Sequence, residues 1–269
     1  MRIINLASGS SGNSTLIIEK DTKILIDAGI SRKRIEGHLS KLGLGMEDID
    51  AVLITHEHAD HIAGLGVVLR KDFIPVYATL PTIKAMLAKK TLGKVEQSLF
   101  NPIEPYKEYA IGDVIIYPVS VYHDAVGPVA YIIKAERKSG RRAIGVLTDT
   151  GRYDERMVEA FAQVDEILIE TNHDINMLQV GSYPYELKQR ILGDRGHLCN
   201  EMGARFVGDI LSGGLRGVLL GHLSKENNYP PLAMASFKNE LVMRYGEEVY
   251  NRLEVRLTKE DGITELREI

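Results

Sequence analysis

The chain has 269 residues, 44% of them hydrophobic and 26% charged, which is ample for a packed core and excludes a disordered chain. A formal net charge of −4 gives no global basic field of the kind a nonspecific nucleic-acid binder carries, so a polyanion must be met by a local patch. The single cysteine, Cys199, excludes an internal disulfide framework; with no long apolar run and no basic leader, the expectation is a soluble, cytoplasmic protein without a membrane segment.

In chain order, RIINLAS (2–8), STLIIEK (14–20) and KILIDAG (23–29) are β-rich runs bounded by Gly, Ser or Asp, and read as strands joined by tight turns. SRKRIEGHLSKLG (31–43) spaces Ile35, Leu39 and Leu42 as one face of an amphipathic helix, with Ser31 as N-cap and Gly43 as C-cap. AVLIT (51–55) is a continuous apolar run, the form of a strand buried on both faces. Helix-like segments near 61–71, 81–90 and 154–163 then alternate with strand-like PVYAT (75–79), VIIYPVSVY (114–122), PVAYIIKAE (128–136), AIGVLTD (143–149) and EILIET (166–171). The stretch from about 174 to 212 reads as mostly helical, GVLLGHL (217–223) as another buried strand, 231–245 as a helix, and two short strands close the chain. No repeat or linker interrupts the pattern, which predicts one mixed α/β domain over 1–269.

The chemistry concentrates in HEHADH, directly after AVLIT. His56 and His58 are two apart, so an extended or turning backbone aims both to one side to chelate one ion, while Asp60 and His61, from the next turn, reach a second. Two ions roughly 3.5–4 Å apart can share a hydroxide. Three more ligand-type residues end apolar runs: His123 after YPVSVY, Asp149 at the end of AIGVLTD and His222 after GVLLG. Strand ends are where open α/β sheets gather their sites. Without a thiolate, the set of five histidines and two aspartates suits two divalent ions of zinc, manganese or iron.

With this motif order the sequence resembles the metallo-β-lactamase superfamily, in which HxHxDH is followed by a His, an Asp and a final His at strand ends. The resemblance implies a four-layer αββα sandwich. It implies His56, His58 and His123 on a first metal, Asp60, His61 and His222 on a second, and Asp149 as bridge. The commonest β-lactamases carry Cys at that last place, so Asp149 disfavours antibiotic hydrolysis. ASGSSGNST (7–15), DAG (27–29), THEHADH (55–61), LTDTG (147–151), TNHD (171–174), GHLCNE (196–201) and LLGHLSKENN (219–228) look like the bacterial YycJ/WalJ/VicX group. That narrower resemblance implies a metal-dependent 5′-to-3′ exonuclease on DNA.

The Gly/Ser turn ASGSSGN can offer N–H groups and hydroxyls to an anion. Ser8, Ser10, Ser11 and Asn13, with Asn200, are therefore the candidate substrate-binding residues. His173 and His197 are candidates to assist the departing alkoxide, with ligand orientation, phosphate contact or a helix-start hydrogen bond as the alternatives. Asp60 and Asp149 would tune the nucleophile. Basic residues group as Arg32-Lys33-Arg34, as Lys138 with Arg141-Arg142, and as Lys188, Arg190, Arg195 and Arg205; the third group, with Tyr183 and Tyr185, can flank a nucleic-acid groove. Cys199 is expected to be a packing residue. The expected partner is nucleic acid, DNA or RNA, as substrate. Two rivals stand beside this reading: a hydrolase of the same fold acting on a small phosphodiester, lactone or thioester, and a non-catalytic regulatory protein associated with a cell-wall two-component system.

Overall fold

In the computed structural model, which describes residues 1–138, 140–211 and 214–266, fourteen strands form two seven-stranded sheets. The first sheet takes β1 (Arg2–Ala7), β2 (Ser14–Glu19), β3 (Thr22–Ile26), β4 (Ala51–Leu53), β5 (Val76–Thr79) and β6 (Phe100–Ile103). The second takes β7 (Tyr109–Ile111), β8 (Val114–Ser120), β9 (Val129–Arg137), β10 (Gly140–Leu147), β11 (Glu166–Glu170), β12 (Gly217–Gly221) and β13 (Glu254–Leu257). β14 (Thr264–Glu265) returns to pair with β1. Sheet order is β14-β1-β2-β3-β4-β5-β6 and β13-β12-β11-β10-β9-β8-β7. Each sheet begins antiparallel and turns parallel, from β3 to β6 and from β10 to β13.

Helices α1 (Arg32–Lys41), α2 (Ala59–Ile62), α3 (Leu65–Asp72) and α4 (Leu80–Ala88) belong to the first half of the chain. The second half adds α5 (Glu155–Phe161), α6 (Ile175–Val180), α7 (Tyr185–Leu192), α8 (Asn200–Asp209), α9 (Pro230–Tyr245) and α10 (Glu247–Asn251). Three apolar cores separate the layers. Ile4, Leu6 and Leu25 pack with Ile35, Leu39 and Val68 on the helix side of the first sheet, and Ile167, Ile169 and Leu220 pack with Phe206, Val207 and Phe237 on that of the second. Between the sheets lie Ile3, Ile24, Ile26 and Leu53 against Ile133, Ile144, Val146 and Leu168. Neighbouring residues of one strand thus enter different cores, as the two-residue period of a pleated strand requires. This is the four-layer αββα sandwich.

Ser31 caps α1, accepting from Arg34 N–H, while Leu42 takes the C-cap position and Gly43 follows at φ +75°. The helix expected near 61–71 is two short helices, α2 and α3, and the expected strand 51–55 is ordered as strand only through Leu53. The helical stretch expected to 212 is α6, α7 and α8, and its last residue lies outside the described ones. β4, β8, β10, β11 and β12 all end at the same edge of the sandwich, β8 matching β10 because both run antiparallel to β9. Among the described residues no helix is long and apolar enough to cross a membrane.

Candidate metal centre

After β4, His56 lies in an irregular segment and His58, on extended backbone, is the residue before α2, while Asp60 and His61 occupy the first turn of α2. Three backbone hydrogen bonds hold this segment: Asn13 N–H to Asp60 O (2.7 Å), Ala28 N–H to His61 O (2.9 Å) and Gly29 N–H to Asn13 O (2.8 Å). A Cβ on Gly29 would lie 1.7 Å from Asp60 O, so only glycine lets these loops meet. The Asn13 amide also reaches Asp60 Oδ2 at 3.3 Å and His61 Nε2 at 3.2 Å.

Ligand atoms of His56, His58 and His123 lie within 4.8 Å of one another, as do those of Asp60, His61 and His222. Asp149 forms a third such group with His56 and His61 and a fourth with Glu170, His197 and His222, and so stands between the two triads. Its Oδ2 is 3.1 Å from His61 Nε2, and its Oδ1 is 3.4 Å from His222 Nδ1 and 3.9 Å from His123 Nε2. One nitrogen of each of three imidazoles is tied down. His61 Nδ1 donates to Asp27 Oδ2 (2.7 Å), His123 Nδ1 to Gly196 O (3.2 Å), and His222 Nδ1 to Glu170 Oε1 (2.9 Å), which leaves each Nε2 as a lone-pair donor. Asp27, Asp149 and His222 hold φ near +60°, a strained region for non-glycine residues that collects at functional sites.

The residues fit a divalent cation. His56 Nε2 is buried with no hydrogen-bond partner, and Asp149 Oδ2, equally buried, has only the His61 imidazole beside it at 3.1 Å, a costly state that a cation relieves. Burial, with cationic His61 beside it, pushes His56 well below the usual imidazole range, and burial also lowers His123, so both are in the neutral, ligating form. Burial opposes ionisation of Asp60 and Asp149, yet His61 and His222 outweigh it and hold both carboxyls well below their usual range. His61 and His222 are in turn drawn upward against their burial by Asp27, Asp60, Asp149 and Glu170. Such an anionic pocket demands positive charge, and metal ions meet the demand by replacing those protons.

The family whose model matches this sequence is described as the beta-lactamase superfamily domain, over residues 22–210. The chain belongs to the beta-lactamase superfamily. Its superfamily relatives include the exodeoxyribonuclease WalJ of Streptococcus pneumoniae, 45% identical over 236 residues, 88% of this chain and 86% of that protein. The exodeoxyribonuclease YycJ of Bacillus anthracis is 37% identical over 238 residues, covering 88% and 87%. The group resemblance read from SGSSGN, THEHADH and GHLCNE is thereby borne out. The crystal structure of YhfI from Bacillus subtilis, a metallo-beta-lactamase fold protein, matches with a TM-score of 0.68 at 18% identity, covering 98% of each chain, and speaks for the fold alone.

In this superfamily member a cleft of about 230 Å³ opens over the cluster, lined by His58, Asp60, His123, Asp149, His197 and His222 among others. His197 Nδ1 donates to Glu170 Oε1 at 2.7 Å, and the Glu170 charge raises the imidazole against the effect of burial. His173, by contrast, is 1% exposed, has no partner on either ring nitrogen and does not line the cleft. Burial brings it down to about 4, so it is neutral at pH 7 and has no proton to give. The structure therefore puts His197, not His173, in the wall of the cleft.

Of the candidate substrate residues only Ser10 lines this cleft. Ser8 is buried and accepts from His222 N–H (2.8 Å), Ser11 donates to Glu260 (2.7 Å), and Asn200 is fully buried against Asn228. Among the basic groups Arg190 alone lines it, ion-paired with Asp124, together with Tyr183. Arg32 pairs with Asp72, Arg34 with Asp261, Arg142 with Glu166 and Arg205 with Glu240. Tyr185 is 74% exposed and does not reach the cleft. Cys199 is buried, and burial pushes its thiol up to about 11, as befits packing. The sequence reading missed Glu170, Asp27 and Asp124. Glu170 carried the same signal as Asp149 and His222, a polar residue ending a buried apolar strand.

Proposed function

We propose that the chain is a metal-dependent exodeoxyribonuclease, working as one domain in the cytoplasm with two divalent cations of zinc, manganese or iron. The observation that carries the reading is the pair of ligand triads, with Asp149 grouped with His56 of one and His61 of the other, at a cleft that also presents the Glu170–His197 pair. His56, His58 and His123 would hold one cation, Asp60, His61 and His222 the other, with Asp149 between them. Bound there, the cations supply Lewis acidity to water and neutralise charge on phosphoryl oxygens. The names of WalJ and YycJ support DNA as substrate and an end as the point of attack.

The chain's own residues divide the remaining work. Asp60, fixed by the Asn13 amide, and Asp149 stay ionised and orient the attacking water by accepting its hydrogen bonds. Glu170 binds Nδ1–H of His197, leaving Nε2–H to protonate the departing alkoxide. Digestion of end-labelled DNA and RNA by the metal-replete protein tests the reading. DNA should shorten from its 5′ end, and His58→Ala and Asp60→Asn should abolish shortening while circular dichroism is retained. If bis-p-nitrophenyl phosphate, a lactone or a thioester turns over while DNA stays intact, the nuclease reading is wrong.

A further inference from the structure

A second cavity of about 300 Å³ adjoins the metal cleft. Ser224 lines both cavities. The Gly/Ser turn divides between them, Ser10 facing the metal cleft while Ser8 and Gly9 face the second cavity. Gly9, at φ +137°, would place a Cβ 3.4 Å from Leu223 O, so the turn lies against the loop after β12, and the two together contribute to the lining of both cavities.

The second cavity carries what a nucleotide needs. Tyr229, half exposed, stands on its wall as the residue before α9. Pro230 and Pro231 follow it and restrict its backbone, and its N–H donates to Asn228 Oδ1 at 3.0 Å. Asn228 in turn donates to Thr171 O (2.9 Å), Asn172 O (3.1 Å) and Asn200 Oδ1 (2.8 Å), and Asn172 donates to the carbonyl of His222 (2.9 Å). The backbone that carries the ring is therefore tied to a metal-ligand loop, and an exposed aromatic face is a usual platform for an unpaired base. Lys225, on the same wall, is paired with Glu260, and both are about half exposed. Such a pair is weak enough to open for a phosphate.

We propose that this cavity is the subsite for the nucleotide on the far side of the scissile bond, its base stacked on Tyr229 and its phosphate taking Lys225 from Glu260. The inference rests on the nuclease reading above. Tyr229→Ala and Tyr229→Phe would be compared with the unaltered protein on a single-stranded oligodeoxynucleotide and on bis-p-nitrophenyl phosphate. Loss of one stacked base predicts that Tyr229→Ala lowers kcat/KM for DNA about tenfold or more relative to the small diester, while Tyr229→Phe keeps the ratio within about twofold. In a phosphorothioate oligonucleotide carrying 5-iododeoxyuridine at one position at a time, photocrosslinks to Tyr229 should arise from one position near the end. An unchanged ratio in Tyr229→Ala, or crosslinks that never reach Tyr229, would overturn the subsite while leaving the nuclease reading intact. Hydrolysis of the small diester but not of DNA by the unaltered protein would overturn both.

Discussion

Glu170 is fully buried, and its charge is tolerable because every side of it is occupied. Oε1 accepts from His197 and His222, and Oε2 accepts from the N–H groups of Thr150 and Leu198, each at 3.2 Å. If Glu170 and His197 act as one proton-donating unit, each of Glu170→Gln and His197→Ala should lower kcat by about 10²–10⁴ at saturating metal. The double variant should then be no slower than the worse single one. Steady-state kinetics with metal content measured on the same samples decides it, and additive losses would refute the unit. The residue scale also shows what the sequence made legible. HEHADH announced itself because four ligand-type side chains in six positions have little structural use. Glu170 did not, because its meaning depends on register: it pairs with Gly221, the residue before His222. His173, a better ligand on paper, drew the expectation three residues too far.

At the scale of elements, EILIE in β11 carries a glutamate at each end with opposite consequences. Glu166 is 7% exposed, and burial raises its carboxyl to about 6, despite its ion pair with Arg142. A folded-state pKa above the unfolded value means that stability present below about pH 4.5 is lost as pH rises through about 6. Relative to Glu166→Gln, the unaltered protein should thus lose about 2 kcal/mol between pH 4.5 and 7. Urea midpoints of both proteins across that range check it; parallel curves would refute it. Helix α7 supplies the cation of the cleft wall, Arg190. If DNA displaces Asp124 from it, Arg190→Gln should reduce the slope of log affinity against log salt by about 0.7 for single strands, read by fluorescence anisotropy. An unchanged slope would place Arg190 outside the contact. The strands that sequence reading passed over, β6 and β7, are the outer strands of their sheets. FNPI contains a proline, which an edge strand tolerates, and YAI is only three residues long, so neither offers the buried apolar run by which interior strands are recognised.

At the scale of the whole molecule, the two sheets meet through an apolar layer, but their common edge is held by polar residues from both. The first half contributes His56, His58, Asp60 and His61; the second contributes His123, Asp149 and His222. Each ligand triad draws on both sheets, His56 and His58 following β4 and His123 following β8, Asp60 and His61 lying beyond β4 and His222 beyond β12, so a cation in either triad would join the two halves. Without one, Asp27, Asp60, Asp149 and Glu170 rely on protons of neighbouring imidazoles and on hydrogen bonds from Thr55, Asn13, Thr150 and Leu198. Metal bound only by the folded state stabilises it by RT ln(1 + [M]/Kd), about 4 kcal/mol at a thousandfold excess over Kd. For a chain of this size that corresponds to roughly 8–16 °C in Tm. Chelation followed by dialysis should therefore lower Tm by that order, and readdition of zinc, manganese or iron should restore it, the most effective ion being the one the site prefers. His58→Ala and Asp60→Asn should shrink the gain on readdition, because each breaks a different triad. A Tm that stays within about 1 °C after metal content has been shown to fall to zero would mean that the edge closes on its own hydrogen bonds, and that the carboxylate and imidazole network, not the cations, joins the sheets.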